Sequence, residues 1–583
     1  MKNVLQPLKN YKKQLAVGPT FKFIEAILEL IVPLLIAKMV DLGVESGDKS
    51  IIFRYGGLSL LLAVTGMGCA YICQYNAAIA SQGYGTRLRN DLYRKILLLR
   101  EQDVAKIGVS SLTTRMTSDI QVLQQAVAML IRLVVRAPFL SIGSLIMVFS
   151  INAKLALIFV AVLLLFVLFL WLIMRRLLPM YSHVQQKTDK SVSRILELLN
   201  GVRVIRALAR DEEKAEQFET TNEELERMID RVGRTAAIMN PATWLLLNFA
   251  AVGVLWLGAY EFRFHGLGAG ELIAMINYLG MMLTALSVVA NLVILYTRAY
   301  ACAIRVQKVF DLPSRRVKAT EDPVGKAFAA YPDAPIIAFD NVTFTYPGNR
   351  EPLFENMSFT LPRGKTLGII GPTGSGKSTL AALLTGRYPL DAGSIRLYGR
   401  DIRDMSEREL LSTVFHVLQK SRLFKGTVRS NLKLAKPDAD EAEMYAAIDD
   451  AQASEFIQDL DREVERDGAN FSGGQKQRLC IARALLTPAK ILIFDDSSSA
   501  LDYATDARLY QALTTRERYR DRVLVTISQR VETVRRSDVL LLLDNGAIAG
   551  FGTHDELLAD VPLYQEIYRS QAQAEFGEEV DDV

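Results

Sequence analysis

Gly371-Pro-Thr-Gly-Ser-Gly-Lys377-Ser378 is the stretch of sequence that decides the fold of this chain. It fits the pattern G-x-x-x-x-G-K-[ST] and lies between an apolar run at 366–370 and a helical pattern that opens at Thr379. In a strand, glycine turn and helix of this order, backbone N–H groups close around phosphates and the helix N-terminus adds its positive end. We therefore predict a phosphate-binding loop in which Lys377 reaches phosphates and Ser378 holds Mg²⁺.

Two downstream segments fit the same kind of site. Residues 491–494 form an apolar run that ends in Asp495 and Asp496, and a P-loop nucleotide hydrolase places a carboxylate for Mg²⁺ at such a strand end. Between the two motifs, Ser472-Gly-Gly-Gln475 opens a basic helical run, where a Ser-Gly-Gly start exposes backbone donors to an anion. Their order, with the P-loop upstream, favours a nucleotide site over an ordinary strand end or helix cap.

A second kind of segment lies further upstream. Residues 155–174 are all apolar, and a helix of that length, at about 1.5 Å per residue, reaches roughly 30 Å, the thickness of a bilayer core. This run predicts a membrane-spanning helix and excludes a soluble nucleotide hydrolase. Five further stretches complete six predicted spans: 16–40, 54–80, 126–150, 236–260 and 268–297.

The composition agrees with one apolar half and one charged, globular half. Of 583 residues, 50% are apolar and 23% are charged, and the mean hydropathy is +0.17. Disorder is excluded because the chain has enough apolar residues to bury. The net charge of +4 does not favour a nucleic-acid-binding protein, so we expect no nucleic acid partner. Four cysteines are too few for a disulfide scaffold.

Cations are concentrated in the two long connections that follow the second and fourth spans. By the positive-inside rule, these loops and both termini are cytoplasmic, and the chain lies in the cytoplasmic membrane with the lipid bilayer as a partner. We expect a transmembrane domain with six helices over 1–312, and a proline-punctuated linker over 313–335. An α/β nucleotide-binding domain is expected over 336–570, followed by an acidic tail over 571–583.

Six spans followed by a P-loop domain resemble the ATP-binding cassette (ABC) transporters, specifically the exporter-type half-transporters, over nearly the whole chain. The resemblance implies an all-α membrane domain of the type I exporter fold, followed by an α/β P-loop domain that binds ATP and Mg²⁺. It also implies that the regions around 108–112 and 201–208 are coupling helices, which press on the nucleotide-binding domains.

The resemblance assigns roles to particular residues. Tyr346 would stack on adenine, although it could be a mere strand-end tyrosine, and Gln419 would join Mg²⁺ and the attacking water to the membrane domain. The signature segment, Ser472 to Gln475, would contact ATP bound to the partner subunit, and the loop at 499–502 would cross between the two nucleotide-binding domains. The implied nucleotide contacts are Tyr346, Gly371, Thr373, Gly374, Ser375, Gly376, Lys377, Ser378, Thr379, Ser472, Gly473, Gly474, Gln475, Asp495 and Asp502, and the implied Mg²⁺ contacts are Ser378, Gln419 and Asp495.

Two positions depart from the family pattern. Asp496 stands where the family has a glutamate as general base. Its side chain is one methylene shorter, which withdraws the carboxylate by roughly 1.5 Å. A misplacement of about 1 Å can lower the reaction rate a hundredfold. Gln529 stands where the family has its switch histidine, and an amide cannot carry a positive charge or relay a proton. Gln529 follows an apolar run at 523–527 that we predict to be a strand. The chain's histidines are His183, His265, His416 and His554, so we expect no histidine near the end of that strand.

These departures predict slow ATP hydrolysis at a degenerate site beside an intact signature segment. A different partner subunit would then supply the missing glutamate and histidine, as in the heterodimeric bacterial multidrug exporters that the chain resembles. The leading prediction is therefore ATP-driven export of hydrophobic or amphipathic compounds by a heterodimer. The alternatives are a homodimeric lipid, peptide or metabolite transporter, and a slow ATP-gated regulator or sensor that does not pump.

Two acidic residues lie one turn apart inside the first predicted span, where ionisable side chains are costly and face a cavity or a partner. Glu25 and Glu29 could attract small amphipathic, cationic substrates. They could instead pair with Arg132 and Arg136 in the third span, which is the alternative that we favour.

Overall fold

The structure is a computed structural model that describes residues 1–314, 333–497 and 501–576. It divides into two compact units. The first contains Met1–Leu98 and Ile107–Leu312, and the second contains Leu99–Lys106 together with the described residues from Pro313 onward. Most of the expected linker, at 315–332, lies outside the described residues, as does 577–583 of the expected tail.

Long helices build the first unit, and polar side chains cap the start of two of them. Asp48 accepts a hydrogen bond from the Ser50 backbone, and Asn152 accepts from the backbone of Lys154 and Leu155, so each satisfies donors that a helix N-terminus leaves free. The helices are Lys2–Leu5, Gln6–Tyr11, Lys12–Lys38, Met39–Val44, Lys49–Leu97, Val109–Thr114, Arg115–Asp119, Ile120–Met129, Leu130–Val134, Arg136–Ile151, Ala153–Ala207, Asp211–Ala237, Met239–His265 and Ala269–Asp311.

Five stretches of helix in the described chain are long and apolar enough to cross a membrane: Lys49–Leu97, Val109–Ile151, Ala153–Leu199, Asp211–Phe264 and Ala269–Asp311. The helix Lys12–Lys38, which contains the first predicted span, is also long enough. Its apolar stretch is interrupted by three charged residues, Lys22, Glu25 and Glu29. A helical membrane unit is therefore confirmed, and six spans fit it.

The charged residues of the first span are paired. Arg136 donates to both carboxylate oxygens of Glu29, at 2.9 and 2.8 Å, as the pairing alternative predicted. Glu25 instead accepts from Lys22, at 2.7 Å to each oxygen, because the lysine lies three residues earlier on the same helix. The expected pairing of the two acids with Arg132 and Arg136 is therefore confirmed for Glu29 and wrong for Glu25. A π-helical turn, Leu130–Val134, interrupts the third span just before Arg136.

The second unit is built on β-sheets. Its strands are β1 (Ile337–Phe344), β2 (Phe354–Leu361), β3 (Leu367–Ile370), β4 (Ala392–Leu397), β5 (Arg400–Asp401), β6 (Val414–Val417), β7 (Gly426–Thr427), β8 (Glu463–Val464), β9 (Ile491–Asp495), β10 (Val523–Ile527), β11 (Val539–Asp544) and β12 (Ala547–Gly552). The described strands form sheets of order β12-β11-β3-β10-β9-β6, β2-β1-β4-β5 and β7-β8. Strands β11, β3, β10, β9 and β6 are parallel, which the apolar runs at 366–370, 491–494 and 523–527 predicted.

Helices cover these sheets. They are Lys377–Leu384, Glu407–Thr413, Val428–Leu432, Glu441–Asp450, Arg466–Gly468, Gly473–Leu485, Tyr503–Thr515, Glu517–Tyr519, Val531–Val534, His554–Asp560 and Pro562–Phe576. The last helix runs past residue 570, where we expected the tail to begin.

One loop of the chain groups with the second unit. Leu99–Lys106 contains most of the short helix Glu101–Ile107, in which the Glu101 carboxylate lies 3.9 Å from the Arg387 guanidinium. The coupling segment expected around 108–112 belongs to the first unit instead. Gly108, with a φ of 81°, separates the two short helices because a left-handed residue interrupts helical hydrogen bonding.

We expect Arg136→Gln and Glu29→Gln each to lower the Tm of the detergent-solubilised protein, because each leaves one charge at membrane depth without its partner. The double variant should recover part of the loss, with a coupling of roughly 0.5–3 kcal/mol. Thermal unfolding followed by intrinsic fluorescence measures both effects. The pair Arg210–Glu213, whose side chains are 66% and 47% exposed, is the matched control and should show almost no coupling. Additive losses at Glu29 and Arg136 would contradict the prediction.

Candidate functional site

The phosphate-binding motif forms the turn between β3 and the helix Lys377–Leu384. Two of its glycines are required by the geometry. A Cβ at Gly371 would lie 2.1 Å from the carbonyl oxygen of Leu543, and Gly376 has a φ of 103° at the helix N-cap. The turn therefore leaves backbone N–H groups at the start of a helix, where an anion is stabilised.

Lys377 lies folded against this turn. Its Nζ donates to the carbonyl oxygens of Gly371 and Pro372, at 2.7 Å each. Burial lowers the pKa of Lys377, and the negative charges of Asp496 and Asp495 oppose that change. The ammonium group is thus held at the loop by carbonyl oxygens that a phosphate could replace. Ser375 also fits a phosphate-binding site, because its buried hydroxyl has no hydrogen-bond partner in the described chain and could bond to a phosphate oxygen.

An oxygen-rich pair lies beside the loop. The Ser378 hydroxyl donates to Oδ1 of Asp495 at 3.0 Å, and Asp495 is 5% exposed. A hydroxyl and a carboxylate at this distance fit Mg²⁺, which prefers oxygen ligands. In the described residues no cluster of three or more histidine, cysteine or acidic side chains could hold a metal ion, so a bound nucleotide or water would have to complete the ligands.

Asp496 follows β9 in a left-handed conformation with a φ of 48°, which aspartate tolerates better than most residues. Gln419 Nε2 donates to its Oδ2 at 3.1 Å. Burial raises the pKa of Asp496, while the hydrogen bond from Gln419 lowers it. A carboxylate with a raised pKa, next to the predicted Mg²⁺ site, has the chemistry of a general base.

The segment after β10 is held by the last helix. Gln571 Nε2 donates to the Gln529 carbonyl at 2.7 Å, and Gln571 Oε1 accepts from the Val531 backbone at 2.8 Å. The exposed Gln529 side chain is therefore carried on a fixed backbone. Residue 571 falls in the expected acidic tail, and no pattern in the sequence singles it out.

A histidine also lies at the site. His416 Nε2 lies 3.3 Å from Asp495 Oδ2, because β6 and β9 are neighbours in the sheet. His416 is two strands away from β10 in the sheet, so it does not take the place of the switch histidine that Gln529 replaces. The available signal was the position of His416 three residues before Gln419, which the resemblance places at the Mg²⁺ site.

Tyr346 lies beside the phosphate-binding helix. Its hydroxyl is 2.8 Å from Thr379 Oγ1, and its ring packs edge-on against Phe344 and Tyr388. This position is compatible with an aromatic residue at the edge of a nucleotide site.

The signature segment stands apart from the P-loop of the same chain. Ser472 caps the helix Gly473–Leu485 by accepting from the Gln475 backbone, and the Gln475 side chain bonds back to the Ser472 N–H. No hydrogen bond of the described chain joins this segment to 371–379. Asp502 similarly caps the helix Tyr503–Thr515, while Ser499 of the same expected loop lies outside the described residues.

Comparison with known proteins agrees with this architecture. Residues 15–286 match the family described as ABC transporter transmembrane region, and residues 354–499 match the family described as ABC transporter. A bacterial Atm1-family ABC exporter, solved with ATP bound, shares the fold with a TM-score of 0.79 over 99% of both chains, at 21% identity.

Relatives match along their full length. An uncharacterized ABC transporter ATP-binding protein of Mycobacterium tuberculosis is 34% identical over 97% of each chain. The uncharacterized ABC transporter ATP-binding protein YfiB of Bacillus subtilis is 31% identical over 99% of each. An ATP-dependent lipid A-core flippase of Vibrio parahaemolyticus is 27% identical over 99% of this chain and 98% of its own. The chain therefore belongs to the ABC transporter family, as an exporter-type half-transporter that carries one transmembrane domain and one ATP-binding domain.

Proposed function

We propose that this protein exports hydrophobic or amphipathic compounds across the cytoplasmic membrane, as one half of a heterodimer driven by ATP. The observation that carries the proposal is the placement of Asp496 and Gln529 at neighbouring strand ends beside the P-loop, with a complete signature segment elsewhere on the chain. The chain would then contribute the P-loop side of a site that hydrolyses ATP slowly, and the signature segment of a second site that hydrolyses ATP rapidly.

The slow site would bind ATP through its own P-loop. Lys377 and the N–H groups of the loop would hold the phosphates, and Ser378, Asp495 and Gln419 would hold Mg²⁺, which neutralises charge that develops on the phosphoryl group. Asp496 would act as the base, set back relative to a glutamate. Gln529 could donate a hydrogen bond to a phosphate without adding a charge.

The fast site would lie between this chain's signature segment and the P-loop of the partner subunit. Ser472 caps the helix, Ser472 and Gly473 are exposed, and Gly473 has open space where a side chain would begin. This part of the helix N-terminus can therefore receive an anion from outside the chain. ABC exporters work as dimers, and here we infer a partner that is a non-identical half-transporter.

The paired charges of the first span bear on the substrate. Glu25 is countered by Lys22 and Glu29 by Arg136, so neither carboxylate offers an uncompensated charge to a cationic compound. We infer that both acids mainly hold the first span in place. Small amphipathic substrates would then be selected largely by shape and apolar contact. We also infer cytoplasmic termini, from the cations of the long loops.

A homodimeric lipid transporter is the second candidate. The observation that favours it is the similarity to proteins named ATP-dependent lipid A-core flippases, which match this chain from end to end. In such a homodimer both sites would contain Asp496 and Gln529, and both would hydrolyse ATP slowly.

We expect Lys377→Ala to weaken ATP binding to this chain by roughly 10- to 100-fold, because a charge-assisted hydrogen bond to phosphate is lost. Photolabelling of the intact transporter with 8-azido-ATP, resolved by subunit, measures the effect. Lys365→Ala, an exposed lysine that pairs with Asp538, is the matched control and should leave labelling unchanged. Undiminished labelling of Lys377→Ala would mean that the P-loop does not hold the phosphates.

We expect Asp496→Glu combined with Gln529→His to raise ATP hydrolysis at this site by about ten- to a hundredfold, because the carboxylate is advanced and a chargeable donor is restored. Phosphate release by the purified transporter measures the change. Asp496→Asn with Gln529→His has no carboxylate to act as a base and should give no increase. Equal rates in the two double variants would refute the assignment of Asp496.

We expect a second, non-identical half-transporter to co-purify with the tagged chain from its native membrane in a one-to-one ratio. Recovery of this chain alone, as a dimer, would support the homodimer.

We further expect inverted vesicles that contain the complex to take up a fluorescent amphipathic dye when ATP is added. Failure of ATP to move any substrate, although the domains dimerise, would favour the regulator.

A further inference from the structure

We propose that His416 is a positioning residue, which holds the Asp495 carboxylate in the orientation that binds Mg²⁺. The inference rests on the proposed role of Asp495 in the ATP site. It concerns a strand residue that the motifs of this site do not include.

The two oxygens of Asp495 have different partners. Oδ1 accepts from the Ser378 hydroxyl at 3.0 Å, and Oδ2 lies 3.3 Å from His416 Nε2. A carboxylate held at both oxygens has lost the freedom to rotate about its terminal bond. Oδ2 is therefore fixed by the histidine, while Ser378 and Oδ1 face each other at the predicted Mg²⁺ site.

The register of the sheet holds the side chains of His416 and Asp495 next to each other. His416 pairs in register with Ile493 on the neighbouring parallel strand, two residues before Asp495. The side chains of His416 and Asp495 are 3% and 7% exposed. Because parallel strands keep a fixed spacing, the imidazole can leave the carboxylate only if its own side chain rotates within a packed region.

The contact with Asp495 is the hydrogen bond that His416 makes among the described residues. The neighbouring β6 residues Val414 and Val417 are buried and apolar. The second ring nitrogen of His416, Nδ1, is buried and has no hydrogen-bond partner among the described residues. An aliphatic side chain would avoid that unsatisfied group. The contact with Asp495 is thus the feature of this position that only a polar side chain provides.

Residues that hydrogen-bond to metal ligands orient them, and their loss typically costs 10- to 100-fold in metal affinity. We therefore expect His416→Leu to raise the Mg²⁺ concentration that gives half-maximal 8-azido-ATP labelling of this chain by about 10- to 100-fold. His416→Gln keeps an N–H donor and should recover most of the wild-type Mg²⁺ dependence. Labelling without added Mg²⁺ should be the same in all variants.

The experiment uses the intact transporter in detergent, with labelling resolved by subunit. His554→Leu is the matched control, because His554 is bonded to Tyr564 and has no contact with the P-loop residues or Asp495 in the described chain. If His416→Leu does not accumulate, His416→Met carries the same expectation.

Each outcome bears on one hypothesis. An unchanged Mg²⁺ dependence in His416→Leu, with wild-type labelling intact, would overturn the role of His416. Equal shifts in the Leu and Gln variants, accompanied by equal losses of Tm, would overturn it as well, since packing alone would then matter. Absence of labelling in the wild-type protein would instead refute the proposed ATP site.

Discussion

Parallel pairing of β3, β10, β9 and β6 is the constraint on which the nucleotide site depends. Because parallel strands end at the same edge of a sheet, the segments that follow them meet there. The P-loop follows β3, Gln529 follows β10, Asp496 follows β9 and Gln419 follows β6. The register is tight, with Ile527 opposite both Ile369 and Asp495, so no loop has to reach across the sheet.

The sequence was sufficient for the fold class and for the residues that carry the motifs. Apolar strands and the P-loop are local signals, and so is the uninterrupted run at 155–174. The contacts of His416 and Gln571 were missed because they depend on strand order and on a distant helix, which the spacing of neighbouring residues does not encode. The pairing of Glu25 with Lys22 was a local signal that was overlooked, since the two residues lie three apart on one helix.

The two units handle ionic groups differently. In the first span every acid is countered by a cation at close range, Glu25 by Lys22 and Glu29 by Arg136, because an unpaired charge at membrane depth is costly. At the nucleotide site, Asp495 and Asp496 lie together and Lys377 is held by carbonyl oxygens. That arrangement leaves two carboxylates side by side, whose repulsion a bound cation would relieve, and an ammonium group for which a phosphate would be the counter-charge.

The strand order also has a consequence for biosynthesis. The neighbours of β3 in the sheet are β10 and β11, which a ribosome delivers long after β3 itself, and Gln571 follows later still. β3 therefore has neither of its neighbouring strands until most of the chain has been synthesised. All the long helices of the first unit precede it, and domains fold in the order in which they are synthesised. A nascent chain would thus acquire its nucleotide site only after its membrane helices are complete.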